Sequence, residues 1–248
     1  MKGGEEMSLT LRLLGPVRID GAAGARPRAP ERALELVAFL HLHPWHNSQL
    51  LDEALWPGKR VTAAARNVPM NSARSWLGTT TDGRPHVAFI AQDGYRLHEV
   101  SSDWQQLQQL LTHPVRESPT PALTAALDLV TGQPLSGVNP VRYRWAEVDR
   151  QQMITTIGDI ALELAGRSHQ QADHRTLALA VAKGLQVEPN NEALWRHALI
   201  SAAHSAQPGR LEQVRAHLHA TLDPLGELED ATVELLERLK SGRSLRAL

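Results

Sequence analysis

Residues 62–78 read TAAARNVPMNSARSWLG, and their polar members are the ones in this chain best suited to reading a nucleic acid. At about 100° per residue, Asn67, Met70, Asn71 and Arg74 share one stripe of a helix, and Pro69, Ala73, Trp76 and Leu77 share the opposite one. A carboxamide matches adenine N6 and N7, and a guanidinium matches guanine O6 and N7. The first stripe therefore offers a face for base edges, and the second a face for packing. Lys59 and Arg60 before the stretch, Arg66 within it and Arg84 after it add charges suited to phosphate oxygens. Between Pro57 and Leu97 six Lys/Arg stand against two acids, although the whole chain carries a formal net charge of −1. The candidate double-stranded DNA contacts are thus Lys59, Arg60, Arg66, Asn71, Arg74 and Arg84. Arg84, His86 and Gln92 would form a contact from a hairpin, and Arg26, Arg28 and Arg32 make a second basic cluster.

Pro69 bears on how long that helix is. It has no N–H for the Ala65 carbonyl and disfavours α geometry at Val68, at about 3 kcal/mol in a helix interior. The expected solution is a helix that starts at Asn67 or Val68, with Asn67 as its cap and Pro69 in the first turn.

Other chemistries find little footing. The chain has no cysteine, which excludes disulfides, thiolate metal sites and cysteine nucleophiles. It has no HExxH, GxSxG, Walker loop or GxGxxG, and the GAAG at 21–24 falls in a turn between strands, so no enzyme is expected. Twelve histidines invite a metal reading, with His41, His43 and His46 in HLHPWH nearest to a site. Pro44 divides them, and no nearby carboxylate completes a set, so neither a metal nor a cofactor is expected. No run is apolar enough to span a bilayer, and the polar start MKGGEEMSLT is unlike a secretory signal, so a cytoplasmic protein is expected.

Around the candidate helix the sequence lays out short elements. SLTLRLLGPVRID alternates as strands do and leads to a turn at GAAG. ERALELVAFLHLH is apolar almost all round, as a buried helix would be, and SQLLDEALW is a second helix capped by Asn47 or Ser48. HVAFIAQDGYRL gives two strand-like runs about an Asp-Gly turn. Strands, three helices and a hairpin are the element order of a winged helix-turn-helix domain. After HPVRESPTP the chain reads as helical throughout. Leu177 and Leu211 lie 34 residues apart and Pro189 and Pro224 lie 35 apart, spacings that suit tetratricopeptide-like helix pairs with a groove for a protein partner. The expected fold is mostly α with a small β component. Residues 1–8 form a start outside the fold, 9–100 the winged helix, 101–120 a connecting helix and linker, and 121–248 the helical-repeat domain.

LRLLGPVRIDG, LDEALWPGKRV, ARNVPMNSARSWLG, DGYRL, LVTGQPLSG and GLQVEPNNEALWR occur in the order found in actinobacterial activators of the antibiotic-regulator (SARP) type, which this chain resembles from about Leu9 to Leu239. Those proteins join a response-regulator-like winged helix to a bacterial transcriptional activator domain (BTAD). RYRWAEVDRQQM is similar to BTAD modules at the C-terminal ends of larger multidomain chains, which implies that the chain is a portion of one. The resemblance implies a transcriptional regulator that binds double-stranded DNA through the winged helix, with the helical domain serving homodimerisation or recruitment. Where those proteins carry runs resembling SRLRR, this chain has SARSW, with Ala73, Ser75 and Trp76. That departure keeps a second reading open: a protein-interaction module whose winged helix no longer meets DNA and whose helical groove binds a partner.

Overall fold

The computed structural model describes residues 9–44, 47–90, 94–205 and 207–241. The chain forms two compact units, Met1–Gln106 with Thr131–Met153, and Leu107–Val130 with Ile154–Leu248. This differs from the single linker expected near residues 101–120. The reason lies in backbone pairing: Thr131 and Leu135 donate their N–H groups to the carbonyls of Leu14 and Leu13 at 2.7 and 2.9 Å, and Val17 donates to Ser136 at 2.9 Å. The segment 131–137 is thereby stitched to the first strands. Gly15 permits that approach, since a Cβ there would lie 2.1 Å from Thr131 Oγ1.

The first unit opens with β1 (Thr10–Arg12) and β2 (Arg18–Asp20), antiparallel with Leu11 opposite Ile19. The hairpin turns at Leu13–Val17, ahead of the GAAG at 21–24. Within that GAAG, Gly24 donates its N–H to Trp76 O at 2.9 Å, and a Cβ would sit 1.9 Å from Ser75 O, so this glycine lets the loop lie on the end of the third helix. Three helices follow, α1 (Glu31–Leu42), α2 (Ser48–Leu55) and α3 (Ala63–Leu77), then a hairpin of β3 (Val87–Ile90) and β4 (Gly94–Leu97). β5 (Ser101–Ser102) returns to pair in parallel with β1. This is a winged helix-turn-helix.

α1 is the centre of the core, buried from Ala33 to Leu40, as its nearly all-round apolar sequence requires. Leu11, Leu13, Leu14, Leu36, Leu51, Leu55, Met70 and Leu77 complete the core, each fully buried leucine contributing about 2 kcal/mol. Two buried carboxylates anchor this interior, Glu35 through Oε2 only, its Oε1 having no hydrogen-bond partner among the described residues. The Asp103 carboxylate accepts from Leu13 N at 2.8 Å and Leu14 N at 3.3 Å, and Glu35, wholly buried, accepts from Arg32 Nη1 at 2.9 Å. Burial pushes the carboxyl groups of Asp103 and Glu35 up. His41 Nε2 lies 2.8 Å from Ser102 Oγ, and burial holds its imidazole down at about 4. His43 faces Asp149 at 3.3 Å, so these two histidines serve different neighbours; His46 lies outside the described residues.

The helical unit receives α4 (Asp103–Leu110) and α6 (Glu147–Gln170) in their later turns and holds α5 (Thr120–Asp128), α7 (His174–Val187), α8 (Glu192–Ala203), α9 (Arg210–Leu222) and α10 (Asp230–Lys240). Asp173 and Asn191 cap α7 and α8 by accepting from Thr176 N and Leu194 N, each at 3.1 Å. Ala180 and Val214 are buried 34 residues apart, as are Gly184 and Leu218, so the repeat spacing read in the sequence is also the spacing of the core. Gly184 is required here, because a Cβ would come within 2.6 Å of Leu194 Cδ1 and 2.8 Å of Ala161 Cβ. Helical repeats following a winged helix complete the mostly α fold. Among the described residues no helix is long and apolar enough to cross a membrane.

Candidate nucleic-acid interface

The surface in question is built by α2, the connection after it, α3 and the hairpin. Asn47 caps α2 by accepting from Leu50 N at 2.9 Å, and α2 ends at Trp56. Gly58, at φ +71°, turns the chain so that Lys59 N reaches Trp56 O at 3.0 Å. Lys59 and Arg60 follow, both exposed, three and two residues before Thr62. Thr62 Oγ1 then accepts from Ala65 N at 3.2 Å and caps α3.

Thus α3 begins at Ala63, four or five residues earlier than expected, and Asn67 is not its cap. Pro69 lies inside the helix and is buried. The Ala65 carbonyl that Pro69 leaves without a helical donor belongs to an exposed residue, where water can satisfy it. The buried stripe of Pro69, Met70, Ala73, Trp76 and Leu77 offsets the remaining cost by packing. Met70, expected on the outward stripe, is fully buried, because the helix leans that side against the core.

Two of the arginines expected to face nucleic acid hold α3 in place. Arg66 makes a two-pronged ion pair with Asp52 of α2, its Nε 2.7 Å from Oδ1 and its Nη2 on Oδ2, with about a fifth of each side chain exposed. Arg74 donates from Nε to the Val87 carbonyl of β3 at 2.8 Å and lies over the Tyr95 ring at 5.9 Å. Its Nη1 reaches Asn71 Oδ1 at 3.4 Å. Buried Tyr95 donates its hydroxyl to Asn67 Oδ1 at 3.2 Å and packs edge-on against Phe89 at 5.1 Å. Arg84, at the exposed base of the hairpin, pairs with Asp82. The hydrogen bond from Arg84, then that from Thr80, hold the Asp82 carboxyl well below the usual carboxylate range. His86 is not a surface contact: it is buried and donates from Nδ1 to His98 O at 2.7 Å. Gln92 and the Asp93 of the turn lie outside the described residues. Of the second cluster, Arg26 and Arg28 are exposed, whereas Arg32 donates to Leu55 O at 2.7 Å and lies over Trp56.

What remains outward on α3 is Ala63, Ala64, Ala65, Asn67, Val68, Asn71 and Ser75. Asn67 and Asn71 have their Oδ1 atoms engaged, which leaves the amide N–H groups turned to acceptors outside the chain. Val68 is 67% exposed between them, and Phe89 on β3 is 57% exposed. Neither apolar residue is prominent in the sequence. The signal was present in the spacing, since Val68 lies three positions before Asn71 and one after Asn67. Lys59 and Arg60 have no side-chain hydrogen bond or ion pair among the described residues. They are the free cations of this surface, beside the uncompensated positive pole at the start of α3.

No protein-family model matches this sequence, and no curated protein matches it. Among solved structures the chain is similar to Mycobacterium tuberculosis EmbR in complex with low affinity phosphopeptide, with a TM-score of 0.60 and 18% identity over 97% of this chain and 67% of that one. The likeness is one of fold. It runs through the winged helix and the helical repeats together, and supports the SARP/BTAD resemblance at the level of architecture.

Proposed function

We propose that the chain is a transcriptional regulator of the SARP/BTAD type that binds double-stranded DNA through its winged helix, with the helical unit serving dimerisation or recruitment of a protein partner. The observation that carries this reading is the outward face of α3, where two amides and a valine stand exposed behind the free pair Lys59 and Arg60. A major groove presents acceptors to amide N–H groups and thymine methyls to Val68, while Lys59, Arg60 and the start of α3 meet phosphates on the flank. Arg66 and Arg74 act as positioning residues, fixing α3 to α2 and to β3, and Arg84 stands at the hairpin base as a charge shared with Asp82.

The test is fluorescence anisotropy of the chain with a labelled pool of mixed-sequence duplexes, followed by enrichment of the bound fraction. Enrichment of a common motif, with discrimination reduced by about 1–3 kcal/mol in Asn71→Ala, is the expected result. Absence of duplex binding at low salt would favour the interaction-module reading instead.

A further inference from the structure

A groove of about 740 Å³ runs along α7, α8 and the first turns of α9. Its walls include Ala178, Val181, Leu185, Trp195, Ala198 and Val214, an apolar floor of the size that recognition clefts have. The Trp195 indole N–H is satisfied by Pro189 O at 2.8 Å, which leaves the ring to act as an apolar surface; His217 meets it edge-on at 5.0 Å. His174 stacks on His204 at 6.0 Å, and His204 donates from Nδ1 to Ile200 O at 2.8 Å, which leaves Nε2 as an acceptor for a donor group such as a peptide N–H.

Arg210 supplies the only formal charge among the groove's described lining residues. Arg210, His174, His204 and His217 line the groove, and no Asp or Glu does so among its described lining residues, in a chain whose acids outnumber its lysines and arginines 27 to 26. Arg210 is exposed and has no carboxylate partner among the described residues, whereas the nearby Glu212 is paired with Arg215 at 3.0 Å. Arg210 also opens α9, which begins at Gly209 without a side-chain cap, so the positive end of the helix adds to the same end of the groove.

We propose that this groove binds an acidic, partly apolar peptide segment of a partner protein, with a carboxylate at Arg210 and apolar side chains against Trp195 and Val181. The apolar floor favours a peptide over a polyanion, since phosphates have nothing to gain there. This deepens the reading of the helical unit as a docking element and is independent of DNA contact by α3.

The experiment uses the full chain and three labelled pools of degenerate octapeptides that share alternating apolar positions and differ in carrying Asp/Glu, Asn/Gln or Lys/Arg between them. Anisotropy is expected to rise with the acidic pool alone. Arg210→Glu should weaken that binding at least tenfold, and Ser201→Trp, which fills the groove without changing its charge, should abolish it; circular dichroism and duplex binding of both variants should be unchanged. Equal binding of the amide or basic pool, acidic binding indifferent to both variants, no binding of any pool, or competition by single-stranded oligonucleotide would each overturn the proposal. Loss of duplex binding in the wild-type chain would count against the DNA reading and leave this one standing.

Discussion

Lys59 and Arg60, in the connection before α3, and Arg66 and Arg74, within α3, carry the same charge and are occupied differently. The first two are exposed and have no side-chain hydrogen bond or ion pair among the described residues. Arg66 is held by Asp52 with 21% of its side chain exposed, and Arg74 is bound to the Val87 carbonyl over the Tyr95 ring. A count of basic residues therefore overstates the field this surface presents. The arginines of the helix fix its angle to α2 and to the hairpin, and the connection supplies the free charge. A helix that contains a proline needs such fastening more than most, because one of its own backbone bonds is absent.

Several perturbations sharpen that contrast, beginning with acid. His41 is half-buried at the end of α1 against Ser102, and desolvation holds its imidazole down at about 4 against an ordinary value near 6.5. A depressed folded value means that the unfolded chain takes up the proton first. Stability is then complete above about pH 6.5 and is lost as pH falls toward 4, by up to about 3 kcal/mol. Urea titrations across that window should show the decline, and His41→Gln should flatten it. Any acid loss of duplex binding should follow unfolding.

Arg66→Ala comes next. It strands Asp52 in a half-buried site and should cost about 2 kcal/mol in chemical denaturation, between the values for exposed and buried pairs. Arg74→Ala removes one hydrogen bond to a carbonyl and the contact with Tyr95, and should cost about 1 kcal/mol by the same measurement. Lys59→Ala with Arg60→Ala should be smallest, within about 0.5 kcal/mol of the parent, as expected of surface positions with no partner. A large stability loss in that last variant would erase the distinction between fastening and free cations.

The fold was legible because its signals are periodic and local. The apolar run of α1, the Asn47 cap of α2 and the 34-residue spacing of the helix pairs all state their structural role within a few residues. Residues 131–137 were not legible in this way, since their partners, Leu13 to Val17, lie more than a hundred positions earlier and the link is made by backbone atoms. Pro69 misled for a different reason. Its local penalty is real, but burial of the stripe around it is a tertiary term that a helix propensity does not contain. The candidate surface was half legible: Lys59, Arg60 and Asn71 stand exposed, whereas the partners of Arg66, Arg74 and His86 depend on neighbours 14, 13 and 12 residues away.

The division between fastening and free cations is tested most directly by the salt dependence of duplex binding for the parent, for Lys59→Ala with Arg60→Ala, and for Arg66→Ala. Each phosphate contact contributes about −0.9 to the slope of log K against log salt. The double variant is predicted to lose close to two from the slope, and Arg66→Ala, measured below its unfolding transition, to keep the parent slope. A parent slope retained in the double variant, or lost in Arg66→Ala while the fold is intact, would contradict that division.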